Sequence, residues 1–285
     1  VARVSLKRRG SYRKRQRVSF GTGAVIVAVL VALPFVPLVL WTFAGEWRFP
    51  DLVPAEWSLR GVAHLVDPGG RVLGAAAASF GIAAAAAVVA VAAGLPAGMA
   101  LGMYEFRGKV VVIFFILLPI LVPPLASTMG IHLTFIRLGL ADTAFGVFLV
   151  HLVPTVPYAA IILASVFADR DDELETAART LGANAWRAFL HVTLPQISPG
   201  VAVAGLFAFL ISWSQYILTL LVGGGNVVTL PMLLFSAASG NDPVISSTLA
   251  LAFALPAVAV LAFALRFLKG DNGDAPDIPA PGKVS

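Results

Sequence analysis

The sequence contains no cysteine, so neither a disulfide staple nor a thiolate metal site is open to it. It is also poor in charge. Asp, Glu, Lys and Arg make up 12% of its 285 residues, about half the ~25% of a soluble domain. No G-x-x-x-x-G-K-[ST] stretch occurs, which excludes a nucleotide phosphate loop. The four histidines, His64, His132, His151 and His191, are dispersed, with no spacing that suits a metal. These absences argue against a disulfide scaffold, an ATP-hydrolysing subunit and an ordinary soluble enzyme.

What fills the space is apolar. The set AVILMFWYC accounts for 59% of the chain. A soluble domain carries roughly 45–50% even when glycine is counted as apolar, and this chain has a further 26 glycines. Mean hydropathy is +0.90. A soluble fold of this size would need more polar surface to cover itself. The net charge of +5 is too localised for nucleic acid: eight basic residues fall between Arg3 and Arg17, beside the first apolar run. A chain whose solvent is largely lipid remains.

Six apolar segments, at about 20–43, 74–103, 110–131, 143–167, 200–222 and 247–268, reach the ~20 residues that cross a bilayer as a helix. None alternates as a barrel strand would. The expected fold class is all-α, a polytopic membrane protein with six transmembrane helices. The first segment is too long for a signal h-region and lacks a small-x-small cleavage site after it, so it reads as a retained span. The organisation expected is a basic tail over 1–19, a first helix over 20–43, a five-helix core over 74–268 and a polar, disordered tail over 270–285.

Alternating spans with the N-terminus inside put 16 of the 20 Lys and Arg residues on the inner side, which sets both ends inside, N-in and C-in. The alanine runs 75–78 and 83–87 leave the second span little bulk and suit close helix packing. Prolines, among them Pro96, Pro123, Pro124, Pro154 and Pro256, are expected to interrupt the spans.

The most informative stretch is the polar loop 169–195 on the inner side. Asp172 is placed to cap a short helix, with Glu175 three residues on as the reciprocal partner. Leu174, Ala177, Ala178 and Leu181 fall at helical spacing and form one apolar stripe. Gly182 suits a left-handed stop. Asn184 can cap a second short helix, which Pro195 is expected to end. Five acids between Asp169 and Glu175 would be repelled by anionic lipid, so a protein partner explains the loop better than a membrane surface.

This loop resembles the signature of the inner-membrane permease subunits of binding-protein-dependent ABC importers: Glu-Ala-Ala, three residues, Gly, nine residues, Ile-x-Leu-Pro. Ala177 and Ala178 match the alanines, and Gly182 stands at the right offset. Val192, Thr193, Leu194 and Pro195 follow nine residues later, with Val for Ile. The glutamate position holds Thr176, and an acid lies one place earlier at Glu175. The resemblance implies a type I ABC importer permease in the bacterial cytoplasmic membrane, with residues 169–195 as a coupling loop. It implies a separate ATP-binding subunit dimer that uses ATP and Mg, a second permease subunit, identical or related, and an extracytoplasmic solute-binding protein. The chain itself would bind no cofactor and catalyse nothing. The text Gly223-Gly-Gly-Asn-Val-Val-Thr-Leu-Pro231 looks more like permeases of the polyamine, thiamine and ferric-ion type than of the sugar type.

Candidates for lining a path are few. Ser212, Ser214, Gln215 and Tyr216 form a polar cluster inside the fifth span, which would be costly against lipid. His151 lies near the middle of the fourth and suits either a path or a hydrogen bond to a neighbouring helix. Ser127, Thr128 and Tyr158 are weaker candidates. Two other classes stay open: a secondary transporter or channel, which would call for intramembrane carboxylates, and a polytopic membrane enzyme, which would call for an acid–base pair. Spans two to six offer neither.

Overall fold

A computed structural model of the chain describes residues 25–26, 29–48 and 50–270, with side chains described as far as Ala259 in the last helix. The basic tail, the start of the first expected span and the tail beyond Gly270 lie outside the described residues. Regular structure among the described residues is helical, apart from one antiparallel bridge between Ala44 and Trp57. The helices, in order, are α1 (Phe35–Thr42), α2 (Arg60–Val66), α3 (Val72–Met103), α4 (Lys109–Leu121), α5 (Pro124–Arg137), α6 (Ala144–Ala168), α7 (Asp172–Thr180) and α8 (Ala185–Ala188). A π-turn (Phe189–Thr193), α9 (Leu194–Trp213), α10 (Ile217–Gly223), α11 (Leu230–Ser239) and α12 (Pro243–Gly270) follow.

Two compact units emerge. One gathers the described residues of Val1–Asp67 with Ala237–Ala252. Here the connection from α1 to α2 is closed by paired backbone: Gly45 N–H donates to Glu56 O at 2.7 Å and Ala55 N–H to Glu46 O at 2.9 Å. Trp47 stacks on Trp41 at 4.5 Å between ring centroids, and its indole N–H donates to Asp51 O. Arg60 pairs with Asp242 at 3.0 Å, a half-exposed contact worth little by itself.

The other unit, Pro68–Ser236 with Phe253–Ser285, holds the longest spans. Alanine has the best helix propensity and no side chain to order, so the run 75–87 propagates α3 without a break. α3 has 32 residues, about 48 Å at 1.5 Å per residue. α6 is the central helix, packed against both α3 and α9. The α3–α6 contact is a glycine ridge. A Cβ on Gly98 would lie 2.6 Å from Leu163 Cβ, one on Gly94 3.0 Å from Ala159 Cβ, and one on Gly102 2.8 Å from Phe167 Cβ. Lipid gives no hydrophobic drive between helices, so such close backbone approach supplies the attraction.

Three expectations need correcting. The third span is not one rod. α4 and α5 meet at 94°, with Val122 and Pro123 both extended at the corner. Consecutive prolines 123 and 124 remove two N–H donors and push each preceding residue out of the helical region. The fifth span is broken at Ser214–Tyr216, between α9 and α10. Prolines 96, 154, 157 and 256 do not interrupt their spans; each lies within a continuous helix. Among the described residues three helices are long and apolar enough to cross a membrane, Val72–Met103, Ala144–Ala168 and Ala185–Trp213, or four if the bent pair counts as one span.

The glycine ridge makes a test. Gly98→Ile should lower stability in detergent by about 1–3 kcal/mol through overpacking. Gly81→Ala, in open space on the same helix, should be neutral or stabilise by up to about 1 kcal/mol. Equal melting of the two variants would remove the ridge as the element holding α3 on α6.

Candidate functional site

The loop after α6 is built around Arg170. Its side chain is only 4% exposed, at a position where an unpaired guanidinium would be costly. Nη1 donates to Glu175 Oε2 at 2.7 Å and to Thr193 Oγ1 at 3.1 Å, while Nη2 meets Asp172 at 2.9 Å. Thr193 Oγ1 in turn donates to Glu175 Oε2 at 2.9 Å. One cation thus joins the end of α6, the short helix α7 and the π-turn.

This cluster explains a second set of departures from the sequence expectation. Asp171, not Asp172, caps α7, and its carboxylate accepts from Glu173 N–H at 2.9 Å. Glu175 does not reach back to the cap, because Arg170 and Thr193 hold it. Pro195 does not end a helix. It sits in the first turn of α9, and the helical run from Ala185 to Trp213 is continuous through the π-turn. Leu194 N–H donates to Phe189 O, five residues back, and this wider turn gives the proline ring room against the preceding carbonyls.

Other expectations for the loop agree with the geometry. Gly182 has φ +94°, the left-handed stop, with open space around it. Asn184 caps α8 by accepting from Arg187 N–H at 2.8 Å. Within this chain the apolar stripe is uncovered. Leu174 is 53% exposed, Leu181 89% and Trp186 68%. Thr176 is exposed and its hydroxyl donates to Asp172 O, and Ala177 is exposed while Ala178 is half-buried. Val192 and Leu194 are half-buried, Leu194 against the Leu163–Phe167 cluster, and Pro195 is exposed. A cavity of about 540 Å³ separates this loop from α3, with Met99, Glu175, Trp186 and Phe189 in its lining.

The second polar region is the break in the fifth span. Ser214 is exposed, and Gln215 and Tyr216 are half-buried. The Tyr216 ring stacks on Phe235 at 4.0 Å between centroids. Trp213 stacks between Phe209 and Phe253, 5.9 Å from each, and its indole N–H donates to Phe253 O. Ser212 and His151 are buried and hydrogen-bonded to each other at 2.8 Å. Of the weaker candidates, Ser127 and Thr128 spend their hydroxyls on the carbonyls of Pro123 and Pro124. Tyr158 lies partly exposed on α6.

A long helix run that carries a capped surface lever at one end and an unwound polar turn at the other suits a transport subunit. Residues 94–269 match the family described as the binding-protein-dependent transport system inner membrane component. The chain belongs to the permease subunits of ABC importers. It is 30% identical over 243 residues to the putrescine transport system permease protein PotI of Escherichia coli K12, covering 82% of this chain and 85% of that one. It is 31% identical over 142 residues to the trehalose transport system permease protein SugB of Mycobacterium tuberculosis, about half of each chain. In fold it resembles the crystal structure of a bacterial ABC transporter involved in the import of the acidic polysaccharide alginate, at TM-score 0.59 and 16% identity, over 89% of this chain and 96% of that one. The permease is therefore a multi-pass component of the bacterial inner membrane, and a transport subunit in place of a catalyst.

Sequence reasoning passed over Arg170, Thr193 and Thr219, and the ridge Gly94, Gly98, Gly102. The ridge had a readable signal in its four-residue repeat. Arg170 and Thr193 did not, since they are 23 residues apart and meet only after the loop folds.

Glu175 gives this permease a pH signature. The hydrogen bond from Arg170 lowers its carboxyl below the usual 4.5, with Thr193 and the charges of Arg170 and Arg179 adding to it, while burial acts in the opposite sense. A depressed folded value means the cluster's contribution is complete above the unfolded value and is lost as pH falls through the folded one. Tryptophan emission of a purified permease that keeps Trp186 and has Phe at the other four tryptophan positions should therefore change below pH 4.5, and Glu175→Gln should abolish that transition. An identical transition in Glu175→Gln would assign it to another group.

Proposed function

We propose that this permease supplies one side of the path for a small cationic solute of the polyamine class, driven from a separate ATPase dimer through residues 169–195. The observation that carries the coupling part is the stripe Leu174, Ala177, Ala178 and Leu181, exposed except at half-buried Ala178, on a helix fastened by Arg170, Glu175 and Thr193. A capped, fastened helix acts as a lever: burial of its stripe on a partner displaces it as a body. The left-handed Gly182 turns the chain directly after it, so α8 presents Trp186 beside the same surface. Val192, Leu194 and Pro195 then carry the chain into α9.

At the other end of α9, Ser214, Gln215 and Tyr216 line the path, with Ser212 and His151 buried behind them. Unwound backbone at membrane depth suits a water-filled route and is disfavoured against lipid. A second permease, identical or related, completes the route, and a solute-binding protein delivers the cargo from outside. The Lys and Arg distribution favours both ends inside, with the first helix at 20–43 flanking a core over 74–268. The chain binds no cofactor of its own.

The polyamine reading rests on the likeness to PotI along most of both chains, against half-length likeness to SugB. Sugar import is the alternative, and membrane vesicles holding the whole transporter decide it. Uptake of putrescine and not of trehalose supports the reading, and the reverse overturns it. For coupling, Ala178→Glu and Gly182→Trp should each abolish co-purification of the ATPase at normal membrane abundance. Retention of the ATPase by both would end the coupling assignment. Gln215→Leu should lower uptake several-fold per transporter, and unchanged uptake would take Gln215 off the path.

A further inference from the structure

His151 joins two elements that the break in the fifth span separates. Its Nδ1 lies 2.8 Å from Ser212 Oγ, on α9 before the break, and its Nε2 lies 3.0 Å from Thr219 Oγ1, on α10 after it. All three side chains are buried: 2% exposed for His151, 3% for Ser212 and none for Thr219. The direction of the hydrogen bonds follows from the protons available. Thr219 has one hydroxyl proton and donates it to Gln215 O at 2.9 Å. It must therefore accept from Nε2–H. A neutral imidazole then presents a bare Nδ1, which accepts from the Ser212 hydroxyl. The result is a one-way chain: Ser212 O–H to His151, His151 N–H to Thr219, Thr219 O–H to the Gln215 carbonyl.

That chain ends on the backbone of the break itself. Where a helix stops in hydrocarbon its last carbonyls have no water to bond, and each left unpaired is costly. A serine inside a helix commonly returns its hydroxyl to its own backbone four residues earlier. Ser212 reaches across to α6 instead, and Thr219 closes the far side. Any buried imidazole needs a partner for each ring nitrogen; what sets His151 apart is that its two partners flank the break.

We propose that His151 is a positioning residue that clamps both halves of the broken helix to α6 and so holds Ser214, Gln215 and Tyr216 in one geometry. That the held turn faces cargo rests on the path reading above; the clamp itself does not. α6 and the two half-helices then move as one body, and the break is a fixed bend in place of a flexible hinge.

This chain has no native cysteine, so Gln215→Cys gives it a single thiol, whose labelling is read on this subunit after separation from the assembled transporter. Ser212→Ala and Thr219→Val change little volume and each cuts one arm of the clamp. Each should raise the labelling rate of the thiol by a small maleimide by about fivefold, the factor for one net hydrogen bond of about 1 kcal/mol. Thr134→Val is the control, because that hydroxyl bonds only its own helix at Gly130 O, and it should leave the rate unchanged. Labelling unchanged in both arm variants, or raised equally in the control, overturns the clamp. Uptake per ATP hydrolysed, measured without the added thiol, should fall in the arm variants at constant membrane abundance. A lower abundance with unchanged labelling and unchanged uptake per transporter would show a purely structural role and also overturn the proposal. Raised labelling with normal uptake would leave the clamp standing and remove the turn from the path.

Discussion

A peptide group that faces hydrocarbon has no water to bond, so every place where this permease leaves the straight helix has to be closed by the chain itself. Among the described residues three such places show how, each with its own closure. At the corner between α4 and α5, prolines 123 and 124 have no N–H to orphan. The hydroxyls of Ser127 and Thr128 reach back to their carbonyls. At residues 189–193 the ladder widens to a five-residue span and loses no bond where Leu194 N–H finds Phe189 O. At Ser214–Tyr216 the side chains of Ser212, His151 and Thr219 carry a hydrogen-bond chain to the backbone of the break at Gln215 O. The polar residues of these spans are therefore explained by the breaks before any cargo is invoked. What the closures leave over, Ser214, Gln215 and Tyr216, is what remains for a path.

Those closures hold only if the helices that bear them are fixed in place. Lipid tails are as apolar as leucine, so burying leucine between two helices gains little. The permease relies on approach distance. Gly94, Gly98 and Gly102 let α3 lie against Ala159, Leu163 and Phe167 of α6 with no side chain between, and Ala87, Ala90 and Ala208 continue the thin layer around α9. α6 is set centrally by these contacts, and so is His151 upon it.

The all-α membrane class, the stop at Gly182 and the cap at Asn184 were legible in the sequence, because each depends on composition or on residues within one or two turns. The uncovered stripe of α7 was legible for the same reason. The cap at Asp171 was misread by one residue. Capping preference ranks Asp171 and Asp172 equally, and the choice was made by Arg170, which takes Glu175 away from the cap. Pro195 was misread as a stop because a proline inside a helix usually is one, and only the π-turn before it permits otherwise. The break at Ser214–Tyr216 showed as polarity without showing as a break. Ser, Trp and Tyr are tolerated in a helix, and the interruption depends on partners 61 and 68 residues away from His151. Local rules therefore read the capped loop well and the break in the fifth span poorly.

The lever and the break share one body. Ala185–Trp213 is a single helical run of 29 residues, about 43 Å long at 1.5 Å per residue. Its lower end is fastened through Thr193 to Glu175 on α7, and its upper end stops at the unwound turn. A flexible joint anywhere along that run would absorb a displacement of the loop before it reached the turn. The one irregularity is the π-turn, and it lies where Thr193 is gripped by Arg170 and Glu175, so the weakest point of the helix is also its best anchored. Arg170 follows directly on α6, whose His151 holds both sides of the break. The loop therefore reaches the turn by two parallel members, α9 and α6, tied together at both ends. Two tied members can shift the turn as a unit while resisting its distortion.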